Sequence, residues 1–279
     1  MSVDHALVTL LMAKLANNML VLPTLPEIAV RVRQVAEDPD VNLHAMAEVI
    51  SRDPALTARM IKVANSAFIG RSIKVSTLNQ AVTRIGLSQV KNIATAMALE
   101  QLFVSQTPEV AQRLVSLWQE TVDITCTAMA CLQYYLPMHK HENLNIDTLT
   151  LASLVHRIGV LPILAEAEKH VQVFGEPVYL QHAIDDFTAP VGVAVLQNWD
   201  FADVFVDVVR DCQQPKATDK IGYTDFIRLG LISRHYYRDR REEDKLIDHY
   251  LQLGMIPQRD FCKHGDIVKG INEAKALFM

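Results

Sequence analysis

Apolar residues recur along this 279-residue chain at the three-to-four spacing of a helix, and no sustained run of alternating β-branched residues interrupts them. In "DPALTARMIKVANSAF" the residues Leu56, Met60, Val63, Ala64 and Ala67 share one face. Asp53 can cap that helix, and Pro54 suits a first position whose amide hydrogen has no partner anyway. "TLNQAVTRIG" pairs Thr77 with Gln80 in a capping-box pattern and closes on Gly86, which can adopt positive φ. Ser88 opens the next helix, with Val90, Ile93, Met97 and Leu102 inward. Thr107–Pro108 starts a long helix running toward Tyr135, Asp147 precedes the helix that carries His156, and Thr188 and Asp200 read as further caps. The N-terminal "MSVDHALVTLLMAKLANNML" reads as an amphipathic helix. The pattern predicts an all-α fold of about a dozen helices.

The stretch "YYLPMHKHENLNID", Tyr134 to Asp147, is the clearest long loop and separates an N-terminal helical half, 1–135, from a second, 147–279. It is too short for a free linker, so 1–279 is expected to form one unit, with the long helix packing on both halves. "REED", Arg241 to Asp244, reads as a charged helix junction.

Composition narrows the function classes. Half the residues are hydrophobic, 21% are charged and the net charge is −5, with basic residues scattered. Nothing there favours tight binding to nucleic acid. Charged or polar residues interrupt the apolar runs before they reach membrane-spanning length, and Asp4 and His5 stand where a secretory signal would be basic. Cys126, Cys131, Cys212 and Cys262 form no metal or redox spacing. A cytoplasmic location is expected.

Common phosphate-loop, nucleophile-elbow, dinucleotide and zinc-protease motifs are absent. Four stretches carry candidate chemistry. In "LASLVHRIGVLPIL", His156 has the ring nitrogen a metal needs, but Arg157 follows it, and a guanidinium repels a divalent ion. The commoner role for such a histidine is a hydrogen-bonded core side chain. In "HAIDD", His182, Asp185 and Asp186 fall at i, i+3 and i+4 and could face one metal, although such residues usually just solvate a helix. "HKH", His139 to His141, sits in the loop and is expected to be solvated. "LNQAVTRIGLSQVKNIATAM" has the outline of a helix-turn-helix, with Gln89, Lys91 and Asn92 on its second helix. Its alanine lies five residues before the glycine, and little basic charge flanks it, so packing is the expected role.

Longer blocks carry a family resemblance. These are LPxLPE (Leu22 to Glu27), Asp38–Pro39, ISRDPALTARMIKVANS (Ile50 to Ser66) and the LxQAVxRIGL block, followed by "LWQETV", "LASLVHRIGVL", "VGVAVLQNWDFAD" and "CQQP". Over Leu22 to Pro215 the chain closely resembles the HDOD domain, the HD-related output domain of bacterial signalling proteins. The resemblance implies an HD-like helical bundle preceded by a helical subdomain. It also implies kinship with HD metal-dependent phosphohydrolases, whose site uses a His, a His-Asp pair and a later Asp. Carried onto this chain, those positions fall on Glu120, on His156 and Arg157, and near Ser233. A frequent HH before Pro becomes Gln213–Gln214, and a frequent His becomes Thr188.

Only His156 is retained, so the expected site is degenerate, with no metal, no cofactor and no catalytic residue assigned. The expected function is non-catalytic: a regulatory module that binds a protein partner in a signalling pathway. None of the EAL, GGDEF or receiver domains that accompany many such modules is present, so input or output would come from another protein. Two alternatives stay open. One is a phosphohydrolase with a rearranged site drawing on His156 and the HAIDD carboxylates. The other is an anion or small-molecule sensor built around Arg157. Glu120 and Arg157 are complementary replacements, and they are expected to form a salt bridge.

Overall fold

The computed structural model describes residues 3–17, 19–38, 41–66, 69, 73–139, 143–169, 177–218 and 220–278. Among these residues every regular element is a helix. A first group comprises α1 (Val3–Ala16), α2 (Glu27–Glu37), α3 (Leu43–Ile50), α4 (Pro54–Ala64), α5 (Leu78–Ile85) and α6 (Leu87–Ala98). A second comprises α7 (Pro108–Tyr135), α8 (Ile146–Val155), α9 (Val160–Lys169), α10 (Pro177–Asn198), α11 (Asp203–Asp211), α12 (Tyr223–Ser233), α13 (Arg240–Gln252) and α14 (Gly265–Lys275).

Local chemistry sets several of these boundaries. The Asp53 carboxylate accepts from the Leu56 amide at 2.9 Å, and Pro54 is the first residue of α4. Leu56, Met60, Val63 and Ala64 are buried, while Ala67 and Pro39 lie outside the described residues. Thr77 and Gln80 close both bonds of the capping box on α5, and Gly86 follows at φ +91°. Just beyond α4, the Asn65 side chain donates to the Val75 carbonyl and accepts from its amide, both at 2.8 Å.

Three expected caps differ. Asn145, not Asp147, caps α8 by accepting from the Thr148 amide at 2.9 Å, and Asp147 turns to accept from Asn92 at 2.9 Å. Thr188 lies inside α10, where its buried hydroxyl donates back to the Ile184 carbonyl at 2.6 Å and so needs no helix end. Asp200 takes φ +54° in the turn after α10, and Ala202 stands at the start of α11. "REED" falls in the first turn of α13, under an Asp239 cap, rather than at a junction.

The long helix α7 packs mainly on α8, α12 and α14, so it belongs to the second group rather than straddling both. The groups meet where α6 lies on α8 and α1 on α10. A second tie joins two of the quoted sequence blocks. The Trp199 indole donates to the Pro23 carbonyl at 2.8 Å, and Arg33 donates to the Trp199 carbonyl at 2.7 Å while lying over Phe201. On the helix-turn-helix-like stretch, α6 is buried from Asn92 to Ala98 and packs against α2, α4 and α8, while Gln89 is exposed and Lys91 half-buried.

By length and composition Ile146–Lys169 could cross a membrane, contrary to the expectation from interrupted runs. Yet 83% of its apolar window is buried in the fold, as in a core helix of a soluble protein, and a turn at 156–159 divides it. That turn crosses α10 in backbone contact. A Cβ on Gly159 would sit 2.1 Å from the Thr188 carbonyl oxygen, and one on Gly192 would sit 2.6 Å from Val209. Only glycine permits this approach.

Candidate functional site

His156 does not lie inside a helix. It follows the last residue of α8, in the turn that Gly159 presses onto α10. Its side chain is fully buried, and Nδ1 donates to the Ser153 carbonyl at 2.5 Å. Burial, reinforced by the adjacent Arg157 charge, pushes its pKa down to about 3, so the ring is neutral at physiological pH. The other ring nitrogen, Nε2, is buried and has no hydrogen-bond partner among the described residues.

The same turn aims Arg157 at α7. Its Nη1 donates to Glu120 Oε2 at 3.2 Å, forming the pair anticipated from the sequence. The guanidinium carbon lies 5.4 Å from the Tyr236 ring centre. Arg157 is 12% exposed but Glu120 is 48% exposed, so this is a bridge at the lip of a groove rather than a buried pair.

The groove measures about 900 Å³ and collects four arginines (157, 210, 234 and 238) and four carboxylates (Glu120, Asp185, Asp186 and Asp239). Gln213, Gln214 and Tyr236 also line it. Most of these charges are already paired. Asp185 accepts from Gln181 at 2.8 Å and from Arg238, and Arg210 bonds Asp207 at 2.5 Å.

Among the described residues, two sets of sequence candidates do not gather at one point. The HAIDD residues do not face one metal: Asp185 is drawn to Gln181 and Arg238, and His182 is exposed outside the groove lining. Ser233, the position aligned with the later Asp, is not among the groove-lining residues. Its hydroxyl donates to the Gly230 carbonyl at 2.6 Å, a bond available at the end of α12, and it is the next residue, Arg234, that reaches the groove. Of the loop histidines, His139 stacks on Tyr135 with ring centres 3.8 Å apart, and Lys140 and His141 lie outside the described residues.

The residues present do not fit a divalent ion. The free Nε2 of His156 is a suitable donor, but its neighbour is a guanidinium. Among the described residues no three His, Cys, Asp or Glu side chains converge on a point. Cys212, whose thiol lies 4.0 Å from the His156 carbonyl, is held protonated by burial, with its pKa raised to about 12.

The groove floor rests on a cluster that the sequence reading did not single out. Arg228 and Asp225 are each 2% exposed and paired at 3.1 Å. Arg228 also donates to the carbonyls of Gln214 and Asp211, at 3.1 and 3.0 Å, fixing the Gln213–Gln214 turn. Asp225 further accepts from Tyr250, Thr218 and the Gly222 amide. The available signal was two opposite charges three residues apart inside the apolar run "YTDFIRLG".

Fold and groove together define an all-helical domain of the HD-like class. The HDOD domain model matches residues 22–215, and the chain belongs to the HDOD family. A crystal structure from Shewanella amazonensis, named "Putative metal-dependent phosphohydrolase", is 39% identical over the full length of both chains with a TM-score of 0.94. An HDOD domain protein of unknown function from Geobacter sulfurreducens matches at 18% identity over the full length of both chains with a TM-score of 0.61, a likeness of fold. An uncharacterized protein of Treponema pallidum is 25% identical over 72% of this chain, which spans only 39% of that relative's length.

Proposed function

We propose that this chain is a non-catalytic regulatory module of the cytoplasm that works by binding a protein partner in a signalling pathway. The observation that carries the reading is the Glu120–Arg157 bridge beside a neutral, buried His156. In the HD-type arrangement that the resemblance implies, this is where an ion and its anionic ligands would sit. A guanidinium held by a carboxylate supplies a cross-link in place of the ion and offers no activated water. The adjacent groove, balanced in charge and walled by tyrosine and proline, suits a segment of protein.

Metal-dependent hydrolysis of a phosphate ester is the second reading, favoured by the name of the Shewanella structure. One experiment separates the two. Untagged protein is assayed for transition metals and for turnover of nucleotide and p-nitrophenyl phosphates, while a photo-crosslinker at Gln181 reports contacts in cells. The regulatory reading expects metal far below one per chain, no turnover above contaminant level, and a discrete protein adduct absent when the crosslinker is moved to a remote surface. About one metal per chain, lost with turnover on His156→Ala, would establish the hydrolase reading instead.

A further inference from the structure

A second cavity, sharing no lining residue with the groove, opens between the two helix groups. It measures about 300 Å³ and is walled chiefly by Val63, Ile93, Met97, Met129, Leu136 and Leu277. Close-packed interiors leave few voids larger than a water, and an apolar void costs stability in proportion to its volume. This space is about ten waters in size, at a water's share of about 30 Å³ each. Such walls hold water poorly, whereas an apolar solute would regain the lost contacts.

Five polar side chains interrupt the apolar lining, at Ser66, Gln89, Asn145, Asp147 and Thr150. Asn145 and Thr150 are engaged with their own helix, whereas Ser66 and Asp147 can accept from a ligand. The Ser66 hydroxyl oxygen is buried and has no hydrogen-bond partner among the described residues. Asp147 lines the same space and receives one bond at Oδ2 from Asn92 at 2.9 Å. Burial raises its pKa, so further donors to this carboxyl are favourable. Met97 and Met129 provide unbranched, adaptable walls.

We propose that this cavity binds a small, mainly apolar molecule of about ten non-hydrogen atoms with one hydrogen-bond-donating head. The body lies among the aliphatic and methionine side chains, and the head donates toward Ser66 Oγ and Asp147. The walls come from α4 and α6 on one side and from α7, α8 and the C-terminal Leu277–Phe278 on the other. The occupant therefore touches both helix groups where α6 meets α8, and it would give the module a chemical input separate from the groove.

The test uses the full chain labelled with 13C at the methionine methyls, with indole as the donor-bearing probe and 1-methylindole as its donor-free counterpart. Indole should shift the Met97 and Met129 signals saturably and leave Met255, in another part of the core, unmoved. Ser66→Ala should weaken indole by about 2- to 10-fold, the loss of one neutral hydrogen bond. It should leave 1-methylindole, already weaker, unchanged. Ala96→Leu fills the cavity and should abolish the shifts with the Met255 signal intact. Val63→Leu, a milder filling, serves if Ala96→Leu does not fold. No saturable shift at millimolar probe, binding indifferent to both fillings, or equal binding of the two probes with no effect of Ser66→Ala would each overturn the proposal.

Discussion

Replacing Arg228 with methionine removes one side chain and leaves several groups without their partner. The Asp225 carboxylate, 2% exposed, would keep Tyr250, Thr218 and the Gly222 amide but lose the counter-charge paired with it at 3.1 Å. The Gln214 and Asp211 carbonyls would each lose a donor. Breaking a buried ion pair on one side costs about 3–5 kcal/mol, because the stranded charge cannot regain water. Methionine restores much of the lost packing volume, so the electrostatic part should dominate. With a urea slope of about 3 kcal/mol per molar, the unfolding midpoint should fall by about 1–1.7 M, followed by circular dichroism and tryptophan fluorescence together. Adding Asp225→Asn removes the stranded charge, and the double variant should recover about 2 kcal/mol or more relative to the sum of the singles. A loss below about 1 kcal/mol for Arg228→Met, or strict additivity in the pair, would refute the assignment of a desolvated, mutually dependent network.

Three further outcomes follow from the site. In a double-mutant cycle between Glu120→Ala and Arg157→Ala, the half-exposed bridge should show a coupling of about 0.5–1 kcal/mol in chemical denaturation; zero coupling would mean the two replacements act independently. His156 has its folded pKa lowered from 6.5 to about 3, so the unfolded state binds the extra proton between those values. Its contribution to stability is therefore complete above pH 6.5 and declines as pH falls through that window, by up to about 1.4 kcal/mol per pH unit; His156→Gln should flatten the measured slope by up to one proton, and an unchanged slope would count against a buried neutral ring. Gly159→Ala drives a Cβ against main chain and should cost about 3 kcal/mol, more than Gly192→Ala, whose clash is with the Val209 side chain; thermal unfolding of both variants in the reverse order would contradict the backbone crossing.

Much of the fold was legible because its signals are local. Asp53 with Pro54, and Thr77 with Gln80, fix helix starts by hydrogen bonds spanning three residues, and both were readable as spacing. Thr188 and Asp200 failed as caps because a threonine can satisfy itself against its own helix and an aspartate can take a left-handed turn, and neither choice is visible without the surrounding packing. At the site, the complementarity of Glu120 and Arg157 could be read from residue type once the resemblance aligned them. Their exposure could not, since it depends on how α7, the 156–159 turn and the Tyr236 segment meet. The role of Arg228 was hidden for the same reason: two of its partners are carbonyls, which carry no sequence signature.

The contact between the 156–159 turn and α10 brings main chain together at two glycines, with the Ile158 and Val209 side chains packed beside Gly192. The crossing itself is held at positions 159 and 192, while His156 and Arg157 make their own contacts beside it, one to the Ser153 carbonyl and the other to Glu120 and Tyr236. Such a scaffold places form and chemistry on neighbouring but different residues: Gly159 and Gly192 set how close the turn lies to α10, and positions 156 and 157 set what it presents. The turn thus hands a guanidinium to the groove while its backbone stays pressed against α10.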